Sequence, residues 1–226
     1  MSSSLVGILL GMVVGLRHAF EPDHLTAVAT LATEAKDARK GAMLGALWGL
    51  GHTLSLVGVG IALILIGVVL PERLAATFEL GVCVMLVVLG ARSLWVASRL
   101  GPRGPIHAHE HGEHLHTHAG AQPHVHVGAR TLALRPLVVG LVHGLAGSGA
   151  VTALVFAELP SNVTRIVYIA LFGLGSVAGM AIASGLVGMS FRSLDRSRRW
   201  LSYGAGAFSI IAGIVWSIPL VSLVAA

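Results

Sequence analysis

Six apolar runs, at roughly 5 to 33, 41 to 70, 73 to 99, 132 to 158, 163 to 190 and 200 to 224, take up most of this 226-residue chain. A helix needs about 20 predominantly apolar residues to cross the ~30 Å hydrocarbon core of a bilayer, so each run is read as a spanning helix. Hydrophobic residues make up 55% of the chain and charged residues only 11%, and the mean hydropathy is +0.84. The expected fold class is therefore all-α: a polytopic membrane protein of six transmembrane helices, with no soluble catalytic domain and no hydrolytic or nucleotide-binding motif. The pI of about 10.3 does not imply nucleic acid, because Lys and Arg cluster in short connections between apolar runs, where they set topology. Cys83 is the one cysteine, which excludes an intramolecular disulfide, and it lies in an apolar run where packing is expected. Met1-Ser2-Ser3-Ser4 lacks a basic n-region, so the first run is read as a retained helix and not a signal peptide.

The first run contains a polar knot, Arg17-His18-Ala19-Phe20-Glu21-Pro22-Asp23-His24. An ionised Asp near the middle of a membrane helix costs about 2.5–3.5 kcal/mol on insertion scales, so such a residue points to function. Two imidazoles and a carboxylate this close suit a divalent transition metal: imidazole favours such ions over Mg²⁺ and Ca²⁺, which prefer oxygen. As one straight helix the run would span roughly 43 Å, too long for the bilayer, so it must tilt, bend or break. Pro22 is the expected break, freeing the carbonyl of His18. On an unbroken helix His18 and His24 would point about 120° apart. Shared coordination therefore needs the break, ligands from other helices, or both, and both are expected. Arg17 and Glu21, spaced i, i+4, are expected to pair with each other beside the metal site. With neutral histidines, Arg17, Glu21 and Asp23 sum to minus one, so a bound dication would leave the cluster at only plus one. Protonation of the imidazoles would expel metal and offers a route to proton coupling.

Basic residues concentrate after the first, third and fifth runs (Lys36, Arg39, Lys40; Arg99, Arg103, Arg130; Arg192, Arg196, Arg198, Arg199), against Arg73 and Arg165 on the other side. The positive-inside rule then puts both termini outside and the long central loop in the cytoplasm. Trp95 and Trp200 fall where interfacial anchors are expected. Glu79 and Glu158, near helix ends, are expected at the interface, and Trp48 and Trp216 in packing.

The two halves resemble each other. Val13-Val14-Gly15-Leu16-Arg17-His18 aligns with Val138-Val139-Gly140-Leu141-Val142-His143, Ala46 to His52 aligns with Ala170 to Ser176, and Gly81 and Gly90 fall opposite Gly204 and Gly213. A duplicated unit of three spans must enter the membrane from opposite sides, which gives two inverted three-helix repeats, as in many secondary transporters. The expected organisation is residues 1–100, the first repeat with the metal motif; 101–130, a flexible loop; and 131–226, the second repeat. Glycines every four residues, at Gly7, Gly11 and Gly15 and at Gly41, Gly45 and Gly49, make smooth stripes for close helix packing beside His18 and His52. His143, as the repeat partner of His18, is a candidate ligand at a second gate. The central loop alternates histidine with small residues (His107, His109, His111, His114, His116, His118, His124 and His126) and reads as an auxiliary cytoplasmic metal-binding segment or a polar spacer.

The stretch from Arg17 to Val28, with its H-x4-D-H spacing from His18 to His24, and Leu47-Trp48-Gly49-Leu50-Gly51-His52-Thr53 resemble the nickel/cobalt transporter family, particularly its short branch linked to urease maturation. The resemblance covers nearly the whole chain. It implies a permease moving Ni²⁺ or Co²⁺ across the cytoplasmic (inner) membrane of a bacterium, uptake favoured. His18, Asp23 and His24 would be metal-recognition residues and His52 part of a second motif, with the metal as cargo and no cofactor. Cytoplasmic nickel-enzyme maturation proteins are implied as partners. The chain departs from longer members, which look like eight-span proteins, and its stretch Val142 to Gly149 has no carboxylate where those members carry an acidic motif. An exporter that collects surplus metal through the histidine loop, an accessory protein that hands nickel to an enzyme such as urease, and a membrane cytochrome with His18, His52 or His143 on haem iron are the competing expectations.

Overall fold

The computed structural model describes residues 2–32, 37–99, 129–193 and 198–225; the central histidines His107 to His126 lie outside the described residues. Seven helices account for nearly all of them: α1 (Ser2–His18), α2 (Pro22–Ala32), α3 (Ala38–Ile66), α4 (Glu72–Arg99), α5 (Ala129–Glu158), α6 (Asn162–Ser193) and α7 (Arg198–Ala225), with no strand among the described residues.

The first apolar run forms two helices, broken where the polar knot lies. Phe20 N–H bonds the Arg17 carbonyl at 2.9 Å and Glu21 N–H bonds the His18 carbonyl at 3.0 Å, two tight turns that end α1. Pro22 opens α2, where its missing N–H is no loss. Leu25 N–H then reaches the Glu21 carbonyl at 2.9 Å, and the Thr26 hydroxyl donates to the Pro22 carbonyl at 2.6 Å. The His18 carbonyl is thus not freed as expected: the chain has already turned before the proline ring, and Glu21 takes up that oxygen. α3 starts under a cap in which Lys40 N–H donates to the Asp37 carboxylate at 2.8 Å, and it stops at Gly67, whose left-handed φ of 76° suits a residue without Cβ.

α3 and α6 pack along each other in opposite directions, with Gly41 against Ser184, Gly45 against Met180 and Gly49 against Val177. α1 runs beside α6 in the same direction, Gly11 meeting Tyr168 and Gly15 meeting Phe172. α5 runs beside α3 in the same direction, Gly140 meeting Trp48 and Gly144 meeting His52. α4 and α7 form an antiparallel pair, with Gly90 against Gly206 and Gly213 against Cys83. The glycine stripes on α1 and α3 are thus packing seams, where a side chain would push into a neighbouring backbone. Between the seams, one buried cluster includes Trp48, Val28, Leu86 and Met180, and another includes Leu56, Ile64, Ile169 and Phe172.

Large apolar side chains such as Leu65, Ile66, Val163 and Ile218 remain on the outside, an arrangement that fits lipid and not water. Four helices (Ala38–Ile66, Glu72–Arg99, Asn162–Ser190 and Arg199–Ala225) are long and apolar enough to cross a membrane, and Leu9–His18 and Leu134–Gly147 are shorter apolar helical segments. This is an all-helical membrane protein. Trp95 and Trp200 are both exposed, the Arg99 guanidinium lying 4.3 Å from the centre of the Trp95 ring.

Candidate metal centre

The break between α1 and α2 turns the polar knot inward. His18 ends α1, and Asp23 and His24 sit in the first turn of α2. His52 comes from the middle of α3, where Gly49 and Gly51 let that helix approach α6 and α5, and His143 comes from α5. The four imidazoles converge. Ring centres lie 4.3 Å apart for His18–His24, 5.3 Å for His18–His52, 5.2 Å for His24–His52 and 4.1 Å for His24–His143. His24, His52 and His143 are 1%, 0% and 2% exposed, whereas the side chains of Asp23 and Glu21 keep 31% and 53%.

Asp23 sits between two of the rings. Its Oδ1 is 3.1 Å from His24 Nδ1 and its Oδ2 is 2.8 Å from His143 Nε2. Glu21 meets His18, with Oε2 2.9 Å from Nδ1. The expected pairing of Glu21 with Arg17 is therefore not the one formed: α1 ends at His18, so the i, i+4 relation does not continue across the turn, and the carboxylate reaches the ring instead. Six buried nitrogens in the nest meet no hydrogen-bond partner: Nε2 of His18, Nε2 of His24, both nitrogens of His52, Nδ1 of His143 and Nε1 of Trp48. A buried polar atom without a partner costs about 1–3 kcal/mol, so this many together needs a reason. Two triads have donor atoms all within 4.8 Å of one another: His18, His24 and His52, and Asp23, His24 and His143.

His18, Asp23, His24 and His52, singled out from sequence as candidate ligands, thus stand in one place, and His143, expected at a second gate, joins them there instead, because α5 runs beside α3 and brings its ring against Asp23 and His24. Three residues of that place were read otherwise. Trp48, expected only in packing, is buried with its ring 5.5 Å from that of His24 and 5.7 Å from that of His143. Glu79 and Cys83, one expected at the interface and one in packing, both line the cavity beside the nest; their i, i+4 spacing on α4 was the available signal. That cavity, about 630 Å³, is walled otherwise by apolar groups such as Val14, Val82, Tyr168, Phe172 and Trp216. A neutral histidine cluster at its inner wall and carboxylates at its rim can draw in a cation, strip its water and hold it through nitrogen.

Residues 5–225 match the family described as high-affinity nickel-transport protein. Among curated proteins, the chain is 32% identical over 196 residues to the urease accessory protein UreH of Bacillus sp. (strain TB-90), an alignment that covers 86% of this chain and 82% of that protein. It is 28% and 27% identical to the Chloroplast proteins FOR GROWTH AND FERTILITY 2 and 1 of Arabidopsis thaliana, over 81% and 85% of this chain but only 47% and 52% of theirs. No solved structure matches.

Proposed function

The chain belongs to the high-affinity nickel-transport family, and on that footing we propose that it is a secondary transporter that carries Ni²⁺, and Co²⁺ with it, across the cytoplasmic membrane in the direction of uptake. The family is one of transport proteins, and the chain is not an enzyme. One observation carries the reading: four imidazoles on α1, α2, α3 and α5 gather about His24 beside Asp23, with five of their nitrogens buried and unpartnered. A transition dication exchanges part of its water for nitrogens of this set, and the Asp23 and Glu21 carboxylates offset its charge. Cu²⁺ would bind the same donors more tightly by the Irving–Williams order, so preference for nickel rests on geometry or supply.

The route by which the ion moves follows from two inverted repeats, α1 to α4 and α5 to α7, six spans in all with α1 and α2 together making the first. Reciprocal contacts support this. With Val13–His18 set opposite Val138–His143, the seat of Gly15 on Phe172 returns as Gly140 on Trp48, and Gly175 on Met12 returns as Gly51 on Leu137. In the outer pair, Gly90 on Gly206 returns as Gly213 on Cys83. Each contact recurs with the halves exchanged, as a two-fold relation between them requires, and the shared directions of α1 with α6 and of α5 with α3 make counterpart helices run oppositely. Rocking one repeat against the other would then open the nest to each side in turn.

The cavity lies toward one end of the bundle. Its lining from α4 (Glu79, Cys83) and α6 (Tyr168) comes from the early part of those helices, and that from α5 (Val151) and α7 (Trp216, Leu220) from the late part. This is the end away from the basic connections and from the Trp95–Arg99 and Arg199–Tyr203 stacks, so the positive-inside rule makes it external. The nest open to that side fits uptake. Purified protein in proteoliposomes should take up radiolabelled nickel and cobalt saturably, and faster with an imposed proton gradient; accumulation no greater than in protein-free vesicles would sink the proposal. The name of the Bacillus relative favours a second reading, a membrane accessory protein that binds nickel for a maturation partner. Under it, deleting the segment from His107 to His126 abolishes function, whereas a transporter keeps its flux.

A further inference from the structure

The carboxylate contacts on the outer side of the nest bear on which of its atoms would touch the ion. Resting on the proposed nickel reading, we infer that Asp23 and Glu21 are positioning carboxylates and not ligands, and that the ion is held by nitrogen alone, through His18 Nε2, His24 Nε2 and a nitrogen of His52. A neutral imidazole carries one N–H and one bare lone pair, and an ionised carboxylate can only accept. Glu21 Oε2 stands 2.9 Å from His18 Nδ1 as an ion-pair contact; a carboxylate oxygen that close repels a bare lone pair, which favours the ring hydrogen of His18 on Nδ1. Asp23 Oδ1 at 3.1 Å from His24 Nδ1 does the same for His24. In both rings the lone pair is left on Nε2, and both Nε2 atoms are buried without a partner.

The third corner needs no such help. Both nitrogens of His52 are buried and unpartnered, so either tautomer leaves a bare lone pair without a partner, and one ring nitrogen from each of the three histidines lies within 4.8 Å of the others. Gly147 lies beside them: a Cβ there would stand at ordinary contact, 3.6 Å from His52 Cε1 and 3.8 Å from His18 Nε2. Meanwhile both oxygens of Asp23 already face a ring nitrogen, the second being His143 Nε2 at 2.8 Å. For Asp23 to bind the ion directly, it would have to bring a dication against the N–H groups it now accepts from. Left where it is, it raises the basicity of His24 through the ring and fixes its orientation, as carboxylates behind metal-bound histidines do. Two carboxylates outside the shell balance the two charges of the ion without entering it.

X-ray absorption and visible spectra of Co²⁺- and Ni²⁺-loaded protein separate the outcomes. The unaltered protein should show three imidazoles per metal. Asp23→Asn and Glu21→Gln, whose amide oxygens can still accept a ring N–H, should keep those three imidazoles and the same Co²⁺ d–d bands, while affinity falls about 10–100-fold. His18→Ala should lose one imidazole. Loss of an oxygen ligand or a shift of the Co²⁺ bands in Asp23→Asn would overturn the inference and leave the nickel site standing. If the unaltered protein binds neither ion, the proposed function falls and the inference with it. Glu21 is half-exposed, so Glu21→Gln folds even if the change at Asp23 disturbs the protein.

Discussion

His18 and His143 occupy counterpart positions in the two halves, and both reach the same nest, yet the chain does opposite things after each. After His18 come Ala19, Phe20, Glu21 and Pro22; the helix ends, turns, and restarts with Asp23 and His24 beside the ring it has just left. After His143 come Gly144, Leu145, Ala146 and Gly147, and α5 runs on unbroken to Glu158. Gly144 instead seats on the carbonyl of His52. One half thus trades helix continuity for four polar groups within seven residues, His18, Glu21, Asp23 and His24. The other keeps its helix and gives one histidine plus the close approach that frames the site. On the proposed duplication, the halves specialise through the six positions after the shared histidine, Ala19 to His24 against Gly144 to Gly149, while the glycine seams between them are kept.

If that division of labour is right, the counterpart histidines are unequal. His18→Ala or His24→Ala should reduce saturable nickel uptake at least ~100-fold with normal protein in the membrane, since each removes a nitrogen the ion needs. His143→Ala should weaken nickel binding only about 10–100-fold, because its ring bonds Asp23 from behind; equal losses from the two would break the comparison. Gly15→Ala and Gly140→Ala probe what the halves share. An added methyl would run into the backbone of Phe172 in one and of Trp48 in the other, and overpacking of this kind costs about 1–3 kcal/mol. Thermal melts in detergent should show both variants destabilised to a similar degree, and a neutral result for one of them would undo the reciprocity. Gly147→Ala should do least: its methyl meets only side-chain atoms at 3.6–3.9 Å, so nickel affinity should change less than tenfold by titration calorimetry and the melting temperature not at all.

Sequence made the helical class plain, because long apolar runs have few other solutions, and it located the break, because a proline beside charged groups inside such a run has a direct backbone consequence. It also picked out the histidines that converge. It did not show how the turn closes. Whether His18 keeps a free carbonyl, or Glu21 pairs with Arg17 or with His18, depends on backbone bonds across residues 17 to 21 that no periodicity encodes. Glu79 and Cys83 were missed for a different reason: facing a cavity and facing lipid look the same along a helix until neighbouring helices are in place.

The cavity beside the nest has room for roughly twenty water molecules at ~30 Å³ each, judged from its volume of about 630 Å³. On the proposed route an ion would meet the Asp23 and Glu21 carboxylates before the buried imidazoles, so the toll of dehydration would fall at a single threshold, where the ring nitrogens begin. Magnesium, which parts with water reluctantly and would find only imidazole beyond, would be turned back there without any pore narrow enough to exclude it by size.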